Sequence, residues 1–176
     1  MIHEKILLLG DSITEGFDTK RFLPEFSIIN KGISGNNSND LFNRLEADLL
    51  AHCPEIVFIL IGTNDLAQGF TDAETISNIK NIVEKISSRL DKCKIYITSI
   101  LPTRNNEPRP NDRIKKLNKK LEETAVKLNA GYLNLFPLFK DEEEQLKKEF
   151  TEDGLHLNEL AYKTWAKYLK EFLEEL

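Results

Sequence analysis

Five short apolar segments dominate this chain: Lys5–Leu9, Ser27–Asn30, Ile56–Ile61, Ile95–Ile100 and Tyr132–Leu135. Each holds four to six residues, rich in Ile, Leu and Val, with no regular polar alternation. A strand with one wet face alternates polar and apolar side chains, whereas a strand covered on both faces has no need to. The segments therefore predict buried strands of a parallel sheet.

Amphipathic stretches fill the gaps. Ile76, Ile79, Val83, Ile86 and Leu90 recur at three-to-four spacing within Asp72–Leu90, the stripe of a helix facing a core. Ile114, Leu117, Leu121, Ala125 and Leu128 repeat the pattern, as do Leu160, Ala161, Trp165, Tyr168, Leu169 and Phe172. A weaker helix is expected over Asn39–Leu50. Asp72, and Asn111 or Asp112, are candidate N-caps. The charged stretch Asp141–Glu149 reads as a solvated helix face rather than an interaction tail. Alternating strand and helix predicts a three-layer α/β/α sandwich on a five-stranded parallel sheet of flavodoxin-like order 2-1-3-4-5. No linker or repeat interrupts it, so residues 1–176 are expected to form a single domain.

Composition removes other classes. With 40% hydrophobic and 30% charged residues, disorder and low-complexity readings fail. A net charge of −5, with acids and bases interleaved, offers no footprint for nucleic acid. Cys53 and Cys93 lie forty residues apart without metal-ligand spacing, which predicts two reduced thiols in or near the core. Ile6–Leu9 is too short for a signal h-region, and no run approaches the ~20 apolar residues of a membrane span. A soluble, cytoplasmic protein without stable membrane association is the expectation.

In parallel sheets, ligands bind beyond the carboxyl ends of the strands. The unusual residues fall there: Gly10-Asp11-Ser12 after the first strand, Gly32-Ile33-Ser34-Gly35-Asn36-Asn37 after the second, and Gly62-Thr63-Asn64-Asp65 after the third. Asp153-Gly154-Leu155-His156 precedes the last helix. Taken singly, each has an ordinary reading as a cap, a turn or a satisfied histidine. Together they meet the needs of acyl transfer. A serine hydroxyl needs a base. Of the three histidines, His3 precedes the first strand, at the wrong end, and His52 ends a helix; His156 alone sits on a loop that can return to Ser12. An imidazole base needs a carboxylate to fix its tautomer, and Asp153 lies three residues away on the same turn. The oxyanion needs donors, for which the N–H of Ser12, the N–H of Gly35 and the side-chain amide of Asn64 are candidates. Asp11 adjoins Ser12 and reads as a support for its loop. No metal or organic cofactor is required.

These four blocks, in this order and spread over nearly the whole chain, resemble the SGNH hydrolases, also known as GDSL lipases and esterases. The resemblance implies the sandwich fold, Ser12 as nucleophile, Gly35 and Asn64 in the oxyanion hole, and Asp153 and His156 completing the triad. One departure is Ile13, where the namesake motif has Leu. The run Val57–Asn64 and Ile100-Leu101-Pro102 look most like compact bacterial members and the catalytic subunits of platelet-activating-factor acetylhydrolase, which implies short acyl groups. Neither a Gly-x-Ser-x-Gly elbow nor separate loops for acid and base are present, which separates the chain from the α/β-hydrolases.

Candidate pocket residues are Asp11, Asn36, Gln68, Arg104 and Asn105, with Asn37, Asn106 and Arg109 nearby. Such a polar rim suits a small-molecule ester, an acetylated carbohydrate in particular, over a bulky lipid. Two rivals come from other classes. A phosphate binder using Ser12–Gly16 would leave Asn64, Asp153 and His156 idle, and Glu15 would repel the ligand. A non-catalytic carbohydrate-binding or scaffold protein would be expected to lack a triad member, and none is missing. Phe172, Leu173 and Leu176 could close the core or a homo-oligomer seam; the core is the expectation.

Overall fold

The computed structural model describes residues 4–176, so His3 lies outside the described residues. In chain order the elements are β1 (Ile6–Gly10), α1 (Ser12–Glu15), α2 (Thr19–Phe22), β2 (Ile28–Gly32), α3 (Ser38–His52), β3 (Ile56–Leu60) and α4 (Thr63–Ala67). Then follow α5 (Asp72–Arg89), β4 (Lys94–Thr98), α6 (Asn111–Lys127), β5 (Gly131–Leu133), α7 (Phe136–Phe139) and α8 (Glu159–Glu174). The strands form one parallel sheet ordered β2-β1-β3-β4-β5, as the sequence predicts.

Side chains alternate across the sheet and so feed two separate cores. Ile6, Leu8, Phe58 and Leu60 pack on one face against Phe17, Phe139 and the Ala161–Trp165–Leu169–Leu173 stripe of α8. Leu7, Leu9, Val57 and Ile59 pack on the other against α3, α5 and α6. Every residue of β1 and β3 is buried, which explains their unbroken apolar sequence. Leu173 closes the first core and Phe172 packs edge-on to Tyr96, while Leu176 is exposed.

Several details differ from expectation for identifiable reasons. β4 ends at Thr98, short of Ile100, because Asn118 of α6 replaces a strand neighbour there. Its Oδ1 accepts from Ile100 N–H and its Nδ2 donates to Ile100 C=O, both at 2.8 Å. The cap of α5 is Thr71, in a reciprocal box with Glu74; Asp72 lies inside the helix and pairs with Arg113 and Lys120. Pro110 holds the cap position of α6, and Asn111 instead bonds both backbone groups of Thr103. Asp141–Glu149 is not a helix: Asp141 accepts from the N–H groups of Glu143 and Gln145, Glu144 has φ 60°, and Leu146 turns into the core. A 3₁₀ turn covers only Lys148–Phe150. Cys53 and Cys93 are both free, but Cys53 is exposed at the left-handed end of α3 rather than near the core. Among the described residues, no helix is long and apolar enough to cross a membrane.

Replacing Asn118 with Leu would strand the N–H and C=O of Ile100 in the interior. The expected cost is about 2–4 kcal/mol, read as a lower urea midpoint with unchanged slope.

Candidate active site

The site grows from the carboxyl ends of β1, β2 and β3. At the end of β1, Asp11 is wholly buried and caps α1, its Oδ1 accepting from Ile13 N–H at 2.9 Å. Ser12 therefore opens the first turn of α1. The turn is held from below by Tyr162, whose hydroxyl donates to Ile13 C=O at 2.8 Å. Asn30 holds it from the side through Thr14 C=O, at 2.6 Å. Arg44 of α3 ties the strand ends together, donating to Gly10 C=O at 3.0 Å, Lys31 C=O at 2.8 Å and Asn36 Oδ1 at 2.7 Å. Its charge is answered by Asp48 at 2.6 Å.

From the far end of the chain, the turn before α8 carries His156 over Ser12. Ser12 Oγ and His156 Nε2 lie 3.1 Å apart, and His156 Nδ1 and Asp153 Oδ2 lie 2.6 Å apart. The second oxygen of Asp153 accepts from the N–H of His156 at 2.8 Å and of Leu155 at 2.9 Å. The carboxylate is thus locked to the backbone that carries the imidazole. Partial burial opposes its ionisation, yet the imidazole and these N–H groups hold its carboxyl well below the usual carboxylate range. Gly154 makes the turn possible: φ is +82°, and a Cβ there would meet Arg104 C=O at 2.1 Å. Both side chains remain open, with His156 52% and Asp153 55% exposed. Such a series can pass a proton from hydroxyl to imidazole while an anion steadies the resulting cation.

Asn64 is buried on the first turn of α4. Its Nδ2 donates to Asn36 C=O at 3.0 Å, joining it to the loop of Gly35, whose φ of +80° is a glycine conformation. Asn37 caps α3 and reaches Gln68 at 2.6 Å; Gln68 in turn points at Gly35 C=O. Asp65 accepts from Ser38 N–H at 2.9 Å and from the Ser38 hydroxyl, which pins the same loop. Burial raises the Asp65 carboxyl, and those bonds offset part of the rise.

Of the pocket candidates, Asn36 and Gln68 stand beside Gly35, whereas Asp11 lies beneath Ser12 without surface. Arg104 turns away, bonding Leu146 C=O and Asp141, and exposed Asn105 sits next to it with φ 50°. One further residue, Arg44, had no signal that marked it, since it looks like an ordinary polar-face residue of a helix. Arg109 is expected only as part of the polar rim. Arg109 in fact reaches Asn64 Oδ1 at 3.1 Å and Thr63 C=O at 3.0 Å.

A flavodoxin-ordered parallel sheet with a hydroxyl, an imidazole and an amide on the loops at its carboxyl edge is an arrangement able to carry out ester hydrolysis. The model of the GDSL-like lipase/acylhydrolase family matches residues 8–164, and the chain belongs to that family. It is 30% identical to the N-acylneuraminate cytidylyltransferase of Escherichia coli over 96% of its own length, and spans only 40% of that protein. It is 35% identical to the acetylxylan esterase of Geobacillus stearothermophilus, over 36% of this chain and 40% of that one. A solved structure from Streptococcus pneumonia, described as a platelet activating factor, superposes with a TM-score of 0.91. It is 31% identical, with 98% of this chain and 85% of that one covered.

Burial, reinforced by the Asp65 charge, lifts Asp11 from 3.8 to about 7, although Ile13 N–H, His156 and Arg109 favour the anion. Between those two values the folded chain holds a proton that the unfolded chain has lost, so stability falls as pH rises. The contribution is full below 3.8 and gone above about 7. Thermal midpoints of wild type and Asp11→Asn, compared from about pH 4 to about pH 8, should show the wild type losing ground steadily; a constant gap would contradict the shift.

Proposed function

We propose that the protein is a serine esterase acting on short-chain, chiefly acetyl, esters of carbohydrates. Ser12 is the nucleophile, His156 the general base and acid, and Asp153 the carboxylate that orients it. The observation that carries the reading is the unbroken series from Ser12 Oγ to His156 Nε2 at 3.1 Å and from His156 Nδ1 to Asp153 Oδ2 at 2.6 Å.

In the first step Ser12 Oγ attacks the ester carbonyl while His156 Nε2 takes its proton. The tetrahedral oxyanion is met by the N–H groups of Ser12 and Gly35 and by Asn64 Nδ2, each such donor being worth ~10²–10³ in rate. His156 then gives its proton to the leaving alcohol, and an acyl-enzyme remains on Ser12. A water activated by His156 releases the acid and restores the serine. Throughout, Asp153 stays ionised, consistent with its lowered pKa.

Two features support the substrate class. Asn36 and Gln68 give the rim beside Gly35 hydrogen-bonding groups suited to sugar hydroxyls. The acetylxylan esterase and the N-acylneuraminate enzyme both act, by their names, on carbohydrates or their derivatives.

Hydrolysis of p-nitrophenyl acetate, butyrate and octanoate, and acetate release from acetylated xylose, test the proposal. Turnover should be fastest on acetate and fall with chain length. Ser12→Ala should lose at least ~10³-fold in kcat while keeping its thermal midpoint. Full activity in that variant would end the assignment; a folded wild type that binds acetylated sugars without turnover would favour a carbohydrate-binding protein on the same fold.

A further inference from the structure

Asn64 can serve an oxyanion only if its amide faces the right way. A primary amide is nearly symmetric in shape, and rotation by half a turn would present an acceptor, not a donor, to the developing charge. Two contacts oppose that rotation. On one side Nδ2 donates to Asn36 C=O at 3.0 Å. On the other, Oδ1 accepts from Arg109 Nη2 at 3.1 Å. A flipped amide would set oxygen against the Asn36 carbonyl and NH₂ against a guanidinium, which is wrong at both ends.

Arg109 is itself firmly placed. Its Nε donates to Thr63 C=O at 3.0 Å and its Nη1 reaches Asn106 Oδ1 at 3.3 Å, so one edge of the planar guanidinium lies along the Thr63–Asn64 unit. The backbone is held too: its N–H donates to Asn106 C=O at 2.9 Å, and its C=O accepts from Thr103 Oγ1 at 2.7 Å. The loop after β4 thus delivers a half-buried cation to the back of the oxyanion donor.

We infer that Arg109 is a positioning residue of the oxyanion hole: it fixes the orientation of the Asn64 amide and sharpens its remaining N–H as a donor. This rests on the role proposed for Asn64. One Nδ2 hydrogen is used by Asn36 C=O, and the other is free to meet the oxyanion. A cation bonded to Oδ1 draws electron density from nitrogen towards oxygen, and hydrogen bonds linked in series strengthen one another. The gain appears where charge develops, so it belongs to the transition state more than to the bound ester. Lysine would keep the charge and lose the two-point edge contact.

A double-mutant cycle tests this on p-nitrophenyl acetate. Asn64→Ala should lower kcat by ~10²-fold, and Arg109→Met by at least about tenfold with KM within about twofold. The double variant should be no slower than Asn64→Ala alone, within about threefold, because Arg109 acts only through the amide. Arg109→Lys should fall between wild type and Arg109→Met, and it serves as the single variant in the cycle if the methionine variant does not fold. Losses that multiply in the double variant, or a folded Arg109→Met with unchanged kcat, overturn this inference alone. An Asn64→Ala enzyme as fast as wild type overturns the proposed oxyanion hole and this inference with it.

Discussion

The structure depends on burying β1 and β3 on both faces at once. Neither strand has a wet side, so polar groups cannot be placed along them and must collect where the strands end. Parallel strands all end at one edge, which gathers the loops after β1, β2 and β3 into a small space. The same arrangement leaves strand-end carbonyls that need partners. Arg44 answers two of them, at Gly10 and Lys31, and extends to Asn36. A cation on a helix of one layer therefore holds the position of loops that belong to the sheet.

Within that edge, positions are fixed by side chains bonding to backbone rather than by packing alone. Asp11, Asn30, Asn37, Asp65 and Tyr162 each hold a main-chain group near Ser12 or Gly35. These residues make the loops rigid without filling them with apolar bulk, which leaves the edge polar. The turn of Asp153 and His156 applies the same economy: two hydrogen bonds, from the His156 ring and the His156 N–H, reach the same carboxylate.

The fold, and the pairing of Asp153 with His156 in the candidate site, were legible because their signals are local. Period and apolar runs gave the sheet and its order, and three residues of spacing put Asp153 beside His156. What stayed hidden depends on contacts across the chain. Arg109 and Asn64 are forty-five residues apart, and nothing near Arg109 marks it against Arg104, which faces the other way. Asn118 reads as one more polar helix residue, though it ends β4. Asp141–Glu149 misled because charge density resembles a solvated helix, while the Asp141 turn and the buried Leu146 decide otherwise.

The openness of His156 and Asp153 carries a consequence of its own. Asn64 and Asp11 are sunk in the protein, but the imidazole and its carboxylate face bulk water with half their surface. Charges in water attract weakly, and the same charges under an apolar cover attract strongly. With the roles proposed here, the protein supplies the floor of the reaction chamber and leaves the roof to the guest. On those roles, an alcohol half long enough to cover His156 would complete the enclosure, and a smaller ester would react in a damper, less polarising room. Selectivity can then reside in a part of the substrate that undergoes no chemistry, through how much water it displaces.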